Sequence, residues 1–250
     1  MTSFDFAESA FVLGAFTVAG FVKGVAGFGL PTVTLGLLAL TRPLPEAMAL
    51  MLVPTLLTNV WQSLVGPALW PVLRRLWPFL AAAVAGTLAG AGVLARSDAH
   101  LLSGLLGLLL VASAALALLG LALPTPTPGR ERWLSPAIGG TAGLLTGMTG
   151  SFLFPAAPYL AAMRLPPQHF VQGFGLGALL ATLALALGMA GHGLLPPDLG
   201  LASLVGVAPA FLGMALGTRV RRAMPETRFR DVIQVALGLV GLWLAVRAFA

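Results

Sequence analysis

The sequence predicts an all-α polytopic integral membrane protein made of two inverted-topology repeats. Three observations predict it: 58% of the 250 residues are hydrophobic and only 9% charged, apolar runs follow one another with short breaks, and a Gly-rich motif occurs twice at an offset of 123 residues. A soluble domain carries roughly 25% charged residues. A soluble globule of this size has too little interior for so much apolar surface, and the mean hydropathy of +0.96 agrees. The composition excludes a soluble enzyme, a disordered chain and a nucleic-acid module.

In chain order, breaks at charges and Pro/Gly clusters leave apolar segments at 9–22, 28–41, 46–66, 76–95, 101–123, 134–146, 152–163, 168–190, 198–218 and 231–249. This amounts to about eight to ten membrane segments. The segments 9–22 and 28–41 are short and joined by KGVAGFG; 134–146 and 152–163 are short and joined by GMTGS. A 14-residue helix covers about 21 Å, less than the roughly 30 Å hydrocarbon core. Each pair is therefore a re-entrant hairpin or two short crossings, with interrupted helices near 23–31 and 146–155.

Charge sets the orientation. The chain has 13 Arg and one Lys, and a pI near 11.5. The expected loops near 67–75 (Arg74, Arg75), 124–133 (Arg130, Arg132) and 219–230 (Arg219, Arg221, Arg222, Arg228, Arg230) are cytoplasmic by the positive-inside rule. The loops at 96–100 and 191–198, with Asp98 and Asp198, face outward, and parity places both termini outside. The N-terminal stretch has Asp5 and Glu8 and no basic residue, unlike the n-region of a signal peptide. There is no Cys, and His100, His169 and His192 have no metal-ligand spacing. No metal, cofactor or catalytic residue is expected.

The repeat is read from GFVKGVAGFGLP (20–31) and GLLTGMTGSFLFP (143–155). Gly20, Gly24 and Gly27 align with Gly143, Gly147 and Gly150, and Pro31 with Pro155 after a one-residue shift. Arg42 similarly aligns with Arg164. The first repeat spans 1–123, a cytoplasmic linker 124–133 and the second repeat 134–250, forming one transmembrane domain. Inverted repeats with broken helices are a common plan of secondary transporters, with the site near the midplane. Broken backbone at that depth lines a cavity or lies within protein. Two helix starts meeting there would present N–H groups and positive dipole ends to an anion.

At these residues the sequence resembles the TauE/SafE family of membrane transporters, also described as sulfite exporters. The resemblance rests on the Gly-rich segment ending in Pro near the start of each half. It implies about eight membrane helices and transport of sulfite, a sulfonate, another organosulfur compound or a small carboxylate. Phe28 within GFG and the second tip GSFLF depart from the more Gly-rich family pattern, and the substrate stays open.

The candidate substrate-binding residues are Lys23, Gly24, Gly27, Phe28, Gly29, Asn59, Gly147, Thr149, Gly150 and Ser151. Lys23, the only Lys, would neutralise the anion, or else it snorkels to water. The tip glycines would allow left-handed backbone and close approach, or close helix packing. Thr149 and Ser151 offer hydroxyls, or bond a carbonyl one turn back. Asn59, with Thr55, Thr58 and Gln62 near one face, lines the pathway or bridges helices; Gln172 is a weaker candidate. Trp61, Trp70, Trp77, Trp133 and Trp243 read mainly as interfacial anchors. No Asp or Glu lies well inside a segment, so no carboxylate proton relay is visible.

These features point to a multi-pass permease or exporter in the cell's inner or plasma membrane, working by alternating access. An anion channel or a non-transporting membrane subunit is the alternative. An intramembrane hydrolase using Ser151 and a histidine is the remote one, since TGSFL lacks the GxSxG elbow. The expected partners are a small anionic substrate and the lipid bilayer, not nucleic acid. A second copy of the chain, forming a homodimer, is a further candidate partner.

Overall fold

The computed structural model describes residues 6–121, 123–223 and 226–249. Asp5 and the side chains of Arg222, Arg228 and Arg230 lie outside the described residues. The described residues form helices joined by turns, without strands. The first half contains α1 (Phe6–Ala26), α2 (Leu30–Leu38), α3 (Leu44–Leu64), α4 (Leu69–Leu94) and α5 (Ala99–Leu118). The second contains α6 (Pro128–Thr149), α7 (Ala156–Ala162), α8 (Pro167–Gly191), α9 (Pro197–Ala202), a 3-10 turn (Ser203–Gly206), α10 (Val207–Ala223) and α11 (Glu226–Phe249). Among the described residues, six helical stretches are long and apolar enough to cross a bilayer: 8–26, 44–64, 69–94, 99–118, 167–191 and 197–221.

Each expected segment coincides with a helix or a helical group, but several boundaries move. Helix α1 runs through Lys23 to Ala26, and α6 starts at Pro128, so neither first member of the two short pairs is short. Its 21 residues give α1 a length of about 32 Å. Only α2, with 9 residues, and α7, with 7, are half-length. The arginines expected in loops also lie in helices: Arg74 and Arg75 in α4, Arg130 and Arg132 in α6, Arg219 and Arg221 in α10. Hydropathy marks the part of a helix that suits hydrocarbon. Arg is a good helix former, so the helix continues past that part.

Glycine sets how closely the long helices pack. A Cβ on Gly20 or Gly24 of α1 would collide with the carbonyl oxygens of Ala210 and Met214 on α10. A Cβ on Gly143 or Gly147 of α6 would collide with those of Ala83 and Thr87 on α4. These are the glycines paired at the 123-residue offset, and they make the same kind of contact in each half. Small residues permit such backbone approach where lipid gives no hydrophobic drive between helices. Helices α5 and α11 meet similarly, through Gly107 and Gly241.

Two cores result. One gathers Leu30, Leu35, Leu38, Met48, Met51 and Leu106 around α2; the other gathers Leu76, Phe79, Phe152, Leu160 and Phe174 around α7. Helix α3 passes through the first with a proline inside it, Pro54. Proline lacks an N–H, so the carbonyl four residues earlier loses its donor. Ser203, in the 3-10 turn, repairs this: its Oγ donates to Leu50 O at 2.6 Å and accepts from Val53 N at 3.0 Å. In hydrocarbon such repair is required of any broken helix.

The turns collect at two ends. At one end Arg42 pairs with Glu8 at 3.4 Å and Glu46 at 3.5 Å. Residues 39–44, the start of α5 and the end of α11 surround one cavity there. At the other end Arg75 of α4 binds Glu131 of α6 through two 3.0 Å bonds. Helix α1 runs from Glu8 at the first end, and α2 runs back to Arg42 at that same end. The pair is a full helix followed by a half helix. Trp61, Trp70, Trp77 and Trp133, all exposed, lie near the Arg75 end of α3, α4 and α6, where aromatic rings suit a membrane interface.

Candidate functional site

The first break is Gly27–Phe28–Gly29. Gly27 has φ 81 and Gly29 φ 99, a left-handed backbone that glycine adopts without steric cost. Pro31 lies in the first turn of α2, where a missing N–H is harmless. The second break starts at Gly150, φ 77, and runs to Pro155, which precedes the first residue of α7. The two expected helix starts are therefore unequal, because α7 is only 7 residues long.

Lys23 lies in the last turn of α1 and is 3% exposed. It does not snorkel to water. Its Nζ donates to Thr58 Oγ1 at 3.1 Å and to Asn59 Oδ1, both on α3. Thr58 in turn donates to Pro54 O at 2.7 Å. The ammonium therefore has neutral oxygen partners, and no carboxylate pairs with it among the described residues. Asn59 Nδ2, Thr55 Oγ1 and Thr34 Oγ1 are buried without a partner among the described residues. Polar groups left bare in a low-dielectric interior are costly.

The breaks are held by neighbouring helices and by each other. Gln62 Nε2 donates to Gly27 O and Val171 O, each at 2.7 Å, tying the first break to α3 and α8. Gln172 fastens the α3–α4 turn, donating to Ser63 O at 2.8 Å and accepting from Ala68 N at 2.9 Å. Thr32 of α2 and Ser151 of the second break share a buried hydrogen bond of 2.9 Å. Phe174 of α8 packs against Phe28 at 5.3 Å and Phe152 at 5.7 Å between ring centroids, so one ring touches both breaks.

The ten expected site residues thus separate by position. Lys23 and Asn59 are in direct contact, Phe28 and Ser151 belong to the joined breaks, and Gly27, Gly29 and Gly150 have the left-handed backbone. Gly24 and Gly147 lie inside helices at backbone contacts. Thr149 donates to Leu145 O one turn back, at 2.7 Å. Thr146, the counterpart of Lys23, donates to Ala142 O at 2.6 Å and Ser151 O at 3.2 Å. The hydroxyl of Ser151 is paired with a threonine rather than a histidine.

Sequence reasoning missed Phe152, Phe174 and Gln234. Gln234, on α11, is buried, and its Oε1 has no partner among the described residues. With Phe28, Gly29 and Leu153 it lines a narrow cavity between the breaks and α11. A lone Gln in a charged stretch gives no signal in the sequence. Only the fold brings it beside residues 28, 29 and 153.

Neither a curated protein nor a solved structure matches this chain. The family model described as sulfite exporter TauE/SafE matches residues 12–244. That stretch holds both breaks, Lys23, Asn59 and Gln234. The chain therefore belongs to the TauE/SafE sulfite exporter family, a family of membrane transporters, and is a multi-pass membrane protein.

Proposed function

We propose that this protein carries a small anion across the inner or plasma membrane by alternating access about Lys23 and the two joined breaks. Sulfite, a sulfonate, or a related organosulfur or carboxylate anion is the cargo. The observation that carries this reading is the buried Lys23 amine, whose partners among the described residues are the neutral oxygens of Thr58 and Asn59. An ionised group inside a membrane is expensive and by default functional. A bound anion offsets that cost, and the bare amide of Asn59 supplies a further donor.

The recurrence of element order and glycine contacts supports inverted repeats over 1–123 and 134–250, joined by 124–133. In this reading the Arg75–Glu131 end is cytoplasmic and the Arg42 end faces outward. The two halves rock about the Thr32–Ser151 contact. Transport is driven by the anion gradient and the membrane potential.

Counterflow of labelled sulfite, a short sulfonate and acetate into proteoliposomes tests the proposal. A carrier shows saturable uptake that preloaded unlabelled anion accelerates. Flux that neither saturates nor responds to preloading would identify a channel, and no flux of any of the three would remove the anion reading.

A further inference from the structure

The geometry points to a second small-oxyanion site, separate from Lys23, in the cavity at the Arg42 end of the molecule. The cavity has a volume of about 300 Å³. Three elements build it: the turn after α2 supplies Thr41 and Arg42, the start of α5 supplies His100 and Ser103, and the end of α11 supplies Arg247. Among the described residues no Asp or Glu lines it, while Glu8 and Glu46 pair with its Arg42 from outside, and it shares no residue with the joined breaks or the Lys23 cluster.

The two arginines are positioned by their surroundings. Arg247 donates through Nη1 to Leu40 O at 3.3 Å and lies over the Trp243 ring, 5.0 Å from its centroid. A guanidinium carries five N–H donors in a planar fork, and the Leu40 carbonyl takes one. Arg42 meets Glu8 and Glu46 at 3.4 and 3.5 Å, and those acids are 59% and 42% exposed. The Arg42 side chain itself is 14% exposed and stays with its carboxylates, so Arg247 is the guanidinium that offers an oxyanion its remaining donors. The Thr41 and Ser103 hydroxyls add neutral donors. Planar guanidinium groups recognise sulfate, sulfonate and phosphate oxygens bidentately, so the ligand class is a small oxyanion, either free or as the phosphate of a lipid headgroup. Where the Arg42 end faces outward, this site gathers or releases anions at the mouth of the pathway. Its existence does not depend on Lys23 binding the cargo.

Binding of labelled sulfate to the purified full-length protein tests this, in the Lys23→Met background so that the central site is silent. Saturable sulfate binding should remain in Lys23→Met, and adding Arg247→Gln or His100→Ala should weaken it about tenfold. Unchanged affinity in both double variants would overturn the site, as would equal displacement of sulfate by chloride at matched ionic strength. Repeating the assay in bilayer discs separates the two sources. Sulfate binding kept in detergent but lost in discs of phosphatidylglycerol or phosphatidylcholine, both of which carry a headgroup phosphate, assigns the cavity to a lipid phosphate; binding kept in discs assigns it to a free anion.

Discussion

Thr32 and Ser151 are 119 residues apart and share a buried hydrogen bond of 2.9 Å. Thr32 opens the half helix of the first half, and Ser151 lies in the break of the second. The bond joins the two breaks directly, and Phe174 adds an apolar bridge between the same segments. A carrier whose halves move needs contacts at their junction that form and release. A single bond between two neutral hydroxyls is suited to that, since its net worth is only about 1 kcal/mol.

A double-mutant cycle tests the coupling. Thr32→Val and Ser151→Ala should each cost about 1 kcal/mol of stability, and the double variant about 1 kcal/mol less than their sum. Denaturation of the four proteins in detergent reads it. Additive costs would show that the contact does not link the halves energetically.

Lys23 and Asn59 give a prediction of opposite signs. In an Arg247→Gln background, which weakens the outer cavity, Lys23→Met removes a buried charge and keeps the volume, so stability should hold or rise while anion affinity at the central site disappears. Asn59→Leu leaves the ammonium short of an acceptor and should cost about 1–3 kcal/mol. Melting curves and anion titration of both variants check this. A destabilised Lys23→Met that still binds anion would reverse the assigned roles.

The packing glycines should separate cleanly from an unconstrained one. Gly20→Ala and Gly143→Ala drive a methyl into a facing backbone carbonyl and should each cost about 1–3 kcal/mol. Gly14, in α1, has open space around it, so Gly14→Ala should be neutral or stabilise by up to about 1 kcal/mol. Thermal melts of the three variants decide. Equal behaviour at Gly14 and Gly20 would contradict the close α1–α10 approach.

Sidedness follows from the two ends, and the native chain has no cysteine to interfere. Ser97, exposed in the α4–α5 turn, and Thr125, exposed before α6, lie at opposite ends. In intact cells Ser97→Cys should react with a membrane-impermeant maleimide, and Thr125→Cys only after permeabilisation. The reverse pattern would invert the proposed orientation.

Much of this architecture was legible in the sequence, because bilayer thickness imposes a length on every apolar segment. The twin Gly-rich motifs located both breaks, and the solitary Lys23 located the buried charge. Helix ends were less legible. Hydropathy stops at Arg75 and at Arg132, while the helices run through both. The glycines were legible as a group but not one by one. Gly27 and Gly150 have positive φ, whereas Gly24 and Gly147, three residues earlier in each half, lie against facing backbones. Spacing does not separate those uses. Least legible were partners distant in the chain. Ser203 completes α3 beside Pro54, Gln172 fastens the α3–α4 turn, and Gln234 reaches the cavity beside Gly29. Each is an ordinary polar residue until the fold supplies its neighbour.

The central claim is that a small anion binds at the buried ammonium of Lys23. The most direct measurement is the melting temperature of the purified Arg247→Gln protein, whose outer cavity is weakened, and of the same protein carrying Lys23→Met, against sulfite, sulfate, thiosulfate, short sulfonates and short carboxylates. A ligand at 100 times its dissociation constant stabilises by about 2.7 kcal/mol. The account predicts that one class of anion raises the melting temperature selectively and that Lys23→Met abolishes the rise. A rise that persists in Lys23→Met, or none with any anion, would contradict it.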